Sequence, residues 1–511
     1  MRPSFSSTIV SLCALASALA CSPEPSAEEA GSDTRATDES GSPGESDSGD
    51  TSDSGDTSDS GEPVCGDAVV EGDEQCDDGN DNDADGCAND CTLPACGDGL
   101  IQANEQCDDG NQTNDDACTN LCLANVCGDG FVWADAEACD DGNLVDADGC
   151  EADCSLPACG NGIVDPGEIC YAAAIALTSV GTSLDVAFAD VDGDDHVDLV
   201  AISDDPNTPL SVWLGDGLGA LAEPVTTGEI AGTGTGLELV DLDGDGMLDA
   251  VHASFGAITV EWGDGDAQFG SATSVPCASV QSVVAGRFGG DAQLDLACAR
   301  NGQFFDIQYV VATNMGNRVF VPAPIGSAGA VPLRELSRGD LEDDGDDDLA
   351  AFNGNTQLLI WRQGQPGSFS SELTGAPMSG WGVGLGDLDG DGLLDAALTI
   401  AGADPSAYQL VPFLQAEGSF ASQAAVSLSS PPRGAVIADV SSDGVSDVVV
   451  ALSGSKVAIL QGDGTGAFAD PVELGAGFTP VQLAVADLDG DGVPEIAVAN
   501  GDGVALLVSD P

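Results

Sequence analysis

The stretch Asp-Leu-Asp-Gly-Asp-Gly-Leu-Leu-Asp at residues 387–395 decides the fold of this chain, because six related stretches accompany it. The seven copies begin at residues 190, 241, 287, 340, 387, 439 and 487, and successive copies lie 46 to 53 residues apart. Apolar runs such as Leu199-Val-Ala-Ile and Val448-Val-Val-Ala-Leu follow them, which is typical of strands. Four short strands in about 50 residues make one β-propeller blade. We therefore predict an all-β fold with a seven-bladed β-propeller over residues 171–511.

The acidic residues of each copy have the spacing of a calcium loop. Carboxylates at positions 1, 3, 5 and 9, with the backbone carbonyl of position 7, supply the oxygen ligands that calcium prefers, and glycine at position 4 or 6 permits the tight turn. Four copies have all four carboxylates: Asp190, Asp192, Asp194 and Asp198; Asp241, Asp243, Asp245 and Asp249; Asp387, Asp389, Asp391 and Asp395; Asp487, Asp489, Asp491 and Glu495.

The other three copies depart from this pattern to different degrees. Two keep most of the ligands, namely Asp340, Glu342, Asp344 and Asp348 in the fourth copy and Asp439, Asp443 and Asp447 in the sixth. The sixth has Ser441 at position 3 and should bind more weakly. The third lacks carboxylates at positions 1 and 3, and we hypothesise that Arg287 replaces the cation there and pairs with Asp291 and Asp295. The set predicts four to six calcium ions.

An EF-hand and a simple hairpin turn are two other interpretations of these loops. An EF-hand needs a bidentate glutamate at position 12 and flanking helices, but position 12 is Ala201, His252, Leu398 and Val498 in the four complete copies, and the flanks have strand patterns. The Asp-Gly runs could instead be simple hairpin turns. Four like charges held close together without a cation would then be costly.

The composition limits the function classes. The 511 residues include 89 Asp and Glu against 10 Lys and Arg, for a net charge of −79. This balance argues against nucleic-acid binding and against docking on anionic lipid through a basic patch, because both need many cations. The usual general bases are also scarce, with one lysine (Lys456) and two histidines (His196 and His252).

Residues 1–64 have the features of an export and tethering segment. Residues 1–20 fit a signal peptide, with Arg2 before a short apolar run. The sequence Ala18-Leu19-Ala20-Cys21 resembles a bacterial lipobox, which implies lipidation at Cys21; plain secretion with a free thiol is the alternative. Residues 22–64 are rich in Ser, Asp and Gly, so we predict a disordered tether. The protein is therefore expected to be exported, and either anchored to the outer membrane at the cell surface or secreted.

Fourteen cysteines between residues 65 and 170 form a tandem array with a period of 31–32 residues. Regular, even-numbered cysteines in an exported chain indicate disulfides, and a zinc site is the weaker alternative. The last half unit retains only Cys159 and Cys170, which must pair if pairing occurs within units. By analogy we predict first-to-second and third-to-fourth pairing in the full units. Asp77, Asp78 and Asn80 and their counterparts could bind calcium, but turn formation is favoured.

Other residues of the propeller region also suggest packing roles. The seventh repeat ends after its third strand, and we expect residues 171–180 to supply the fourth strand and close the ring. Trp213, Trp262 and Trp361 recur at equivalent positions and are expected to pack between blades. Cys277 and Cys298 should form a disulfide.

The acidic repeats resemble the FG-GAP/VCBS family, which includes the seven-bladed head of integrin α subunits. The cysteine-rich units resemble a repeat of myxobacterial surface proteins. These resemblances imply calcium on the loops of one face, a stalk, and adhesion or protein or glycan recognition without catalysis. The ligand is an unknown protein or glycan, with no nucleic acid and with membrane attachment only through the lipid anchor. A polysaccharide-degrading enzyme on a propeller scaffold and a structural coat protein are the alternatives.

Overall fold

The computed structural model describes residues 64–102, 105–146, 150–160, 163–177, 181–205, 209–230, 236–278, 280–301, 307–327, 335–353, 357–365, 367–374, 380–402, 408–416 and 418–510. Across these ranges the regular structure is all β, and no helix there has the length and apolarity needed to cross a membrane. The predicted signal peptide, Cys21 and the tether up to residue 63 lie outside the described residues.

Seven antiparallel sheets follow one another along the chain after a short first strand, β1 (Ile175–Leu177). Blade 1 consists of β2 (Ser183–Ala189), β3 (Asp198–Ser203), β4 (Leu210–Trp213) and β5 (Val225–Thr227). Blade 2 consists of β6 (Glu238–Val240), β7 (Asp249–Ser254), β8 (Ala257–Gly263) and β9 (Phe269–Pro276). Blade 3 consists of β10 (Val280–Gly286), β11 (Asp295–Asn301), β12 (Ile307–Asn314) and β13 (Phe320–Ser327).

The second half of the ring repeats this order. Blade 4 consists of β14 (Leu336–Gly339), β15 (Asp348–Asn353), β16 (Gln357–Gln365) and β17 (Ser368–Thr374). Blade 5 consists of β18 (Gly380–Gly386), β19 (Asp395–Ala401), β20 (Tyr408–Ala416), β21 (Ser419–Ser422) and β22 (Val426–Ser427). Blade 6 consists of β23 (Pro432–Ala438), β24 (Asp447–Leu452), β25 (Lys456–Leu460) and β26 (Val472–Gly475). Blade 7 contains β27 (Gln482–Ala486), β28 (Glu495–Asn500) and β29 (Gly503–Leu507).

The ring closes as the sequence predicts. Strand β1 pairs antiparallel with β29, in the register Ile175 opposite Leu506, and thus supplies the fourth strand of blade 7. A bridge between Tyr171 and Ser509 extends this pairing. The first strands of neighbouring blades contact one another around the whole circle, including β27 with β2. Among the described strands, each blade therefore contacts a neighbouring blade on both sides. Residues 178–180 of the predicted closing segment lie outside the described residues.

The hydrophobic core is divided among the seven interfaces between blades. Each of seven buried clusters joins residues of two adjacent blades, and the cluster between blades 7 and 1 includes Leu199 and Val504. Trp213, Trp262 and Trp361 are buried in three of these interfaces, which confirms their predicted packing role. Blade-to-blade burial, rather than one central core, therefore stabilises the ring.

The cysteine-rich repeats contain turns and disulfides with little regular strand. By contact density the chain forms two compact units, one ending at Ala138 and one running from Cys139 to Pro511. Disulfides are confirmed, and so are the specific bonds Cys159–Cys170 and Cys277–Cys298.

The predicted pairing inside the full units was wrong. The observed bonds are nested, first to fourth and second to third: Cys65–Cys91 and Cys76–Cys87, and likewise Cys96–Cys122 and Cys107–Cys118. In the third unit Cys139 pairs with Cys150. The chain folds back so that Cys76 N–H donates to Cys91 O at 3.3 Å, while Asp77, next to Cys76, accepts a hydrogen bond from Gly66 N–H at 2.8 Å. Together these contacts bring the fourth cysteine against the first. The half unit has no third and fourth cysteine, so it was a poor guide.

Candidate metal-binding loops

All seven acidic stretches occupy the same connection in their blades. Each links the first strand to the second, and position 9 is always the first residue of the second strand, as Asp198 is in β3 and Asp395 in β19. Since every blade has the same topology, the seven loops lie on one face of the ring. The side chain at position 2 anchors each loop, because it is buried in every copy: Val191, Leu242, Phe288, Leu341, Leu388, Val440 and Leu488.

The backbone of each loop turns sharply at position 4. This residue has a positive φ in all seven copies, including the non-glycine residues Asp343 (52°) and Ser442 (54°). Glycine at this position, as in Gly193 (77°), adopts the left-handed region without a steric penalty. The turn curls the chain so that the side chains of positions 1, 3 and 5 converge.

The first loop shows the resulting carboxylate cluster. Asp190, Asp192 and Asp194 each offer an oxygen, and these oxygens all lie within 4.8 Å of one another. Backbone N–H groups hold the first and last of these carboxylates in place. Gly193 N–H donates to Asp190 Oδ1 at 2.7 Å, and His196 N–H donates to Asp194 Oδ1 at 2.9 Å. Asp192 Oδ1 is buried without a hydrogen-bond partner.

The electrostatics of these clusters favour a bound cation. Desolvation, followed by the charges of Asp194 and Asp190, raises the pKa of Asp192. Desolvation and neighbouring loop carboxylates likewise raise the pKa values of Asp389 and Asp489. In the first loop several carboxylate oxygens converge, and one of them is buried without a hydrogen-bond partner. Such a set of oxygens matches what a hard cation such as calcium prefers. The residues at positions 1, 3 and 5 therefore fit calcium.

Position 9 has a structural role that the sequence pattern did not reveal. Asp395 is fully buried, and its two carboxylate oxygens accept hydrogen bonds from Leu388 N–H (2.8 Å) and Gln415 N–H (2.7 Å). This carboxylate thus joins the start of its own loop to the end of the third strand. The same pair of contacts is made by Asp198, Asp249, Asp348, Asp447 and Glu495.

Burial leaves these position-9 carboxylates easier to protonate than usual. Desolvation raises the pKa to about 6 for Asp198, Asp295, Asp348, Asp395 and Asp447, and to about 7 for Asp249. Hydrogen bonds from backbone N–H groups oppose this shift in each case. All of these except Asp295 were predicted as calcium ligands, and their backbone contacts give them a second role that does not depend on the ion.

Two arginines approach the loops, Arg318 from the neighbouring blade and Arg362 from the third strand of the same blade, and the sequence analysis missed both. Arg318, between β12 and β13, donates from Nε to Asp243 Oδ2 at 2.7 Å and lies 4.3 Å from the ring centroid of Trp262. Arg362 of β16 approaches Glu342 at 3.3 Å. Only the contact between blades 2 and 3 could have revealed the first pair, because Arg318 and Asp243 are 75 residues apart. The second pair lies within blade 4 and depends on the third strand folding back beside the loop.

The hypothesis for the third loop was wrong in its partner. Among the described residues, the guanidinium of Arg287 pairs with Asp347 rather than with Asp291 or Asp295, since its Nε lies 4.0 Å from Asp347 Oδ2. The backbone N–H of Arg287 donates to the same oxygen at 2.7 Å. Asp347 belongs to the fourth loop, so the arginine bridges two loops. Asp295 nevertheless keeps the backbone contact of position 9, since Asn314 N–H donates to Asp295 Oδ1 at 2.6 Å.

The aspartates of the cysteine-rich repeats are used as turn formers. Asp77 accepts hydrogen bonds from the N–H groups of Gly66, Asp67, Ala68 and Gly79, and Asp108 makes the equivalent set in the next unit. Desolvation acts against it, but these backbone donors lower the pKa of Asp77. Glu74 and Asp77 also lie near Cys91, but its sulfur is in a disulfide and is no thiolate ligand. The contacts favour the turn interpretation.

Neither histidine lies in a catalytic arrangement. His196 belongs to the first loop, where Nδ1 lies 3.4 Å from Asp194 Oδ2. His252 is buried in β7, with Nε2 3.5 Å from Glu261 Oε1. The Glu261 carboxylate is itself occupied by the backbone N–H groups of Glu229 and Ile230.

Comparison with protein families supports the assignment of both repeats. Residues 190–252, 340–398 and 439–498 match the FG-GAP-like repeat, and residues 56–92, 88–123 and 119–155 match a domain of unknown function (DUF4215). The chain therefore carries a seven-bladed β-propeller with FG-GAP-like repeats, preceded by disulfide-rich repeats. Comparison with curated protein sequences gave no match.

Two solved structures illustrate the similarity at low identity. BBS1N, crystallised in complex with ARL6DN, is 10% identical with a TM-score of 0.48, and the match covers 67% of this chain and 97% of that chain. An Agrocybe aegerita lectin that specifically recognises non-reducing terminal N-acetylglucosamine is 16% identical with a TM-score of 0.42, covering 63% and 87% respectively.

Proposed function

We propose that the protein is an exported calcium-binding protein whose propeller recognises a protein or glycan ligand at the cell surface. The observation that supports this most directly is the acidic face of the ring. Six of the seven loops on that face keep aspartates at positions 1 and 5, and four also keep an aspartate at position 3. Bound calcium would hold the loops in one arrangement, and a preorganised face loses less entropy when a ligand binds.

Recognition is favoured over catalysis because the side chains that could act as acids or bases already have other contacts or roles. The position-9 carboxylates are engaged by backbone donors, the aspartates at positions 1, 3 and 5 are assigned to the ion, and His252 is buried beside Glu261. A polysaccharide-degrading enzyme would need a further carboxylate pair flanking the glycosidic bond. A purely structural coat protein would need no ligand, and it is the second alternative.

The disulfides indicate export to an oxidising compartment, because such bonds are rare in cytosolic proteins. We extend the proposal to a lipid anchor on Cys21, followed by a tether over residues 22–64. The intact mass of the mature protein purified from membranes tests this step. A mass that matches a chain beginning at an acylated Cys21 supports the anchor, and an unmodified Cys21 contradicts it.

The recognition proposal is tested with the full mature chain on a glycan array, with calcium and after chelation. Asp389→Asn removes a position-3 carboxylate, and Asp470→Asn is the matched control at an exposed aspartate between β25 and β26. We expect defined glycans to be bound in calcium by wild type and by Asp470→Asn, and more weakly by Asp389→Asn. Binding to cell-surface protein extracts is measured in parallel. Release of reducing sugar from a polysaccharide would contradict the proposal, as would the absence of any bound calcium.

A further inference from the structure

The half unit at Cys159–Cys170 packs directly on the sixth loop. Gly167 N–H donates to Ser441 O at 2.8 Å, and Gln461 Nε2 donates to Gly167 O at 3.0 Å. A few residues later, Tyr171 Oη donates to Pro494 O at 2.7 Å. The turn that contains residues 165–168 is therefore held against the loop face of blades 6 and 7.

This contact places two acidic side chains beside the one loop in which serine replaces the position-3 carboxylate. A small cavity of about 10 Å³ separates the two parts, and it is lined by Val164, Asp165, Glu168, Cys170, Ser441 and Val493. Asp165 is only 4% exposed, and neither of its carboxylate oxygens has a hydrogen-bond partner. Glu168 Oε2 is also buried without a partner.

Nothing positive compensates these buried acids among the described residues. The ion pairs found there include none with Asp165, with Glu168 or with the sixth loop. Desolvation and the charge of Asp165 raise the pKa of Glu168. Burial of a carboxylate without a partner is strongly unfavourable, so the arrangement calls for a cation.

The sixth loop offers the rest of a coordination shell. Gly444 N–H donates to Asp439 Oδ2 at 2.9 Å, whereas Asp439 Oδ1 is buried without a partner. Asp443 Oδ2 lies 3.4 Å from Gln461 Nε2, the same amide that holds Gly167 O. Ser441, two residues after Asp439, lines the same cavity as Asp165 and Glu168, so the sixth loop and the half unit meet there.

We propose that a calcium ion binds between the sixth loop and the half unit, with Asp165 and Glu168 replacing the carboxylate that Ser441 lacks. The proposal rests on calcium binding by the loops, and it adds ligands from a different repeat family. The ion then does more than stabilise a loop. It ties the last cysteine-rich segment to the propeller, so that calcium stiffens this junction.

The test compares the full chain with its Asp165→Asn variant, which keeps the side-chain shape and removes the charge. Asp470→Asn serves as the control. Calcium bound per chain is measured by titration calorimetry and elemental analysis, and hydrogen exchange of residues 163–170 is followed with and without calcium. We expect Asp165→Asn to bind one ion fewer, or one ion at least tenfold more weakly, and to lose the calcium-dependent protection of residues 163–170.

Thermal unfolding separates a ligand role from a packing role. Without calcium, Asp165→Asn should be at least as stable as wild type, because it removes a buried unpaired charge; with calcium it should be less stable. Equal destabilisation in both conditions would overturn the proposal. So would a wild-type ion count and affinity in Asp165→Asn while the wild-type chain binds calcium, an outcome that leaves the other loops and the proposed function intact. A wild-type chain without any calcium would overturn both.

Discussion

The first and third loops join equivalent strands in blades 1 and 3, but they differ in the charged side chains that they bring together. Both have a buried apolar anchor at position 2, a left-handed residue at position 4 and a buried aspartate at position 9. In the first loop three carboxylates converge, and Asp192 Oδ1 is left buried without a partner. In the third loop Arg287 and Gly289 stand at positions 1 and 3, and the arginine is bound to Asp347 of the next loop.

The two loops show that the backbone shape of the loop does not depend on the carboxylates that could bind a cation. The third loop keeps the shape without the ligands, so the anchor, the turn and the position-9 carboxylate are enough to form it. Position 3 is also sterically different there, because a Cβ on Gly289 would lie 2.7 Å from Asp295 Oδ2. A carboxylate cannot be added at that position unless Asp295 moves.

Calcium removal should have the largest effect. Each site adds about 2.7 kcal/mol of stability when free calcium is a hundredfold above its dissociation constant, and several sites add together. We expect chelation to lower the Tm by about 10 °C or more. Hydrogen exchange should increase in residues 190–198 and remain unchanged in residues 287–295. Equal loss of protection in the two loops would remove the distinction between them.

The second effect concerns pH in the calcium-free protein. Six position-9 carboxylates have pKa values of about 6 to 7 in the fold, above the ordinary value of 3.8. The folded state then binds more protons than the unfolded state between these values, so stability rises as the pH falls from about 7.5 to about 5. Each carboxylate contributes about 1 kcal/mol per pH unit in this window.

Carboxylates with lowered pKa values, such as Asp77, titrate below this pH window and do not oppose the trend. Denaturant unfolding at several pH values measures the effect. With calcium present the slope should be smaller or reversed, because protons then compete with the ion for the loop carboxylates. Falling stability on acidification of the calcium-free chain would contradict the assigned pKa shifts.

Asp192→Asn should affect the first loop only when calcium is present. The variant should lose one ion, which corresponds to about 2.7 kcal/mol at a hundredfold excess of calcium. In the absence of calcium its stability should equal or exceed that of wild type, since a charge among like charges is gone. Titration calorimetry and denaturant unfolding measure the two quantities, with Asp470→Asn as the control.

Asp295→Ala in the third loop should show no dependence on calcium and the smallest effect. The backbone N–H of Asn314 would be left buried without its acceptor, at a cost of about 1–3 kcal/mol. This loss should be the same with and without calcium, and the number of bound ions should not change. A change in the ion count for Asp295→Ala would mean that the third loop binds calcium after all.

Much of the fold could be predicted from the sequence because its information is local and repeated. The strands around each loop, the closing strand near residue 175 and the packing of Trp213 follow from periodicity and repeat counting. The disulfide pairing could not be derived in this way, because Cys65 and Cys91 are brought together by a turn whose geometry the spacing does not encode. The prediction of the partner of Arg287 failed for a similar reason, since Asp347 lies in another blade.

The sequence by itself determined the number of blades and the position of each acidic loop, and it predicts the type of cation that those oxygens suit. Each loop depends on residues that lie within nine positions of one another, and the number of blades follows from counting the repeats. Only the tertiary structure decided which backbone groups each buried position-9 carboxylate holds, which arginine reaches which loop, and that Asp165 lies beside Ser441. The position-9 contacts need the third strand of the blade to fold beside the loop. The contacts of Arg318 and Asp165 join residues far apart in the chain, and the packing of neighbouring blades and the docking of the half unit bring them together.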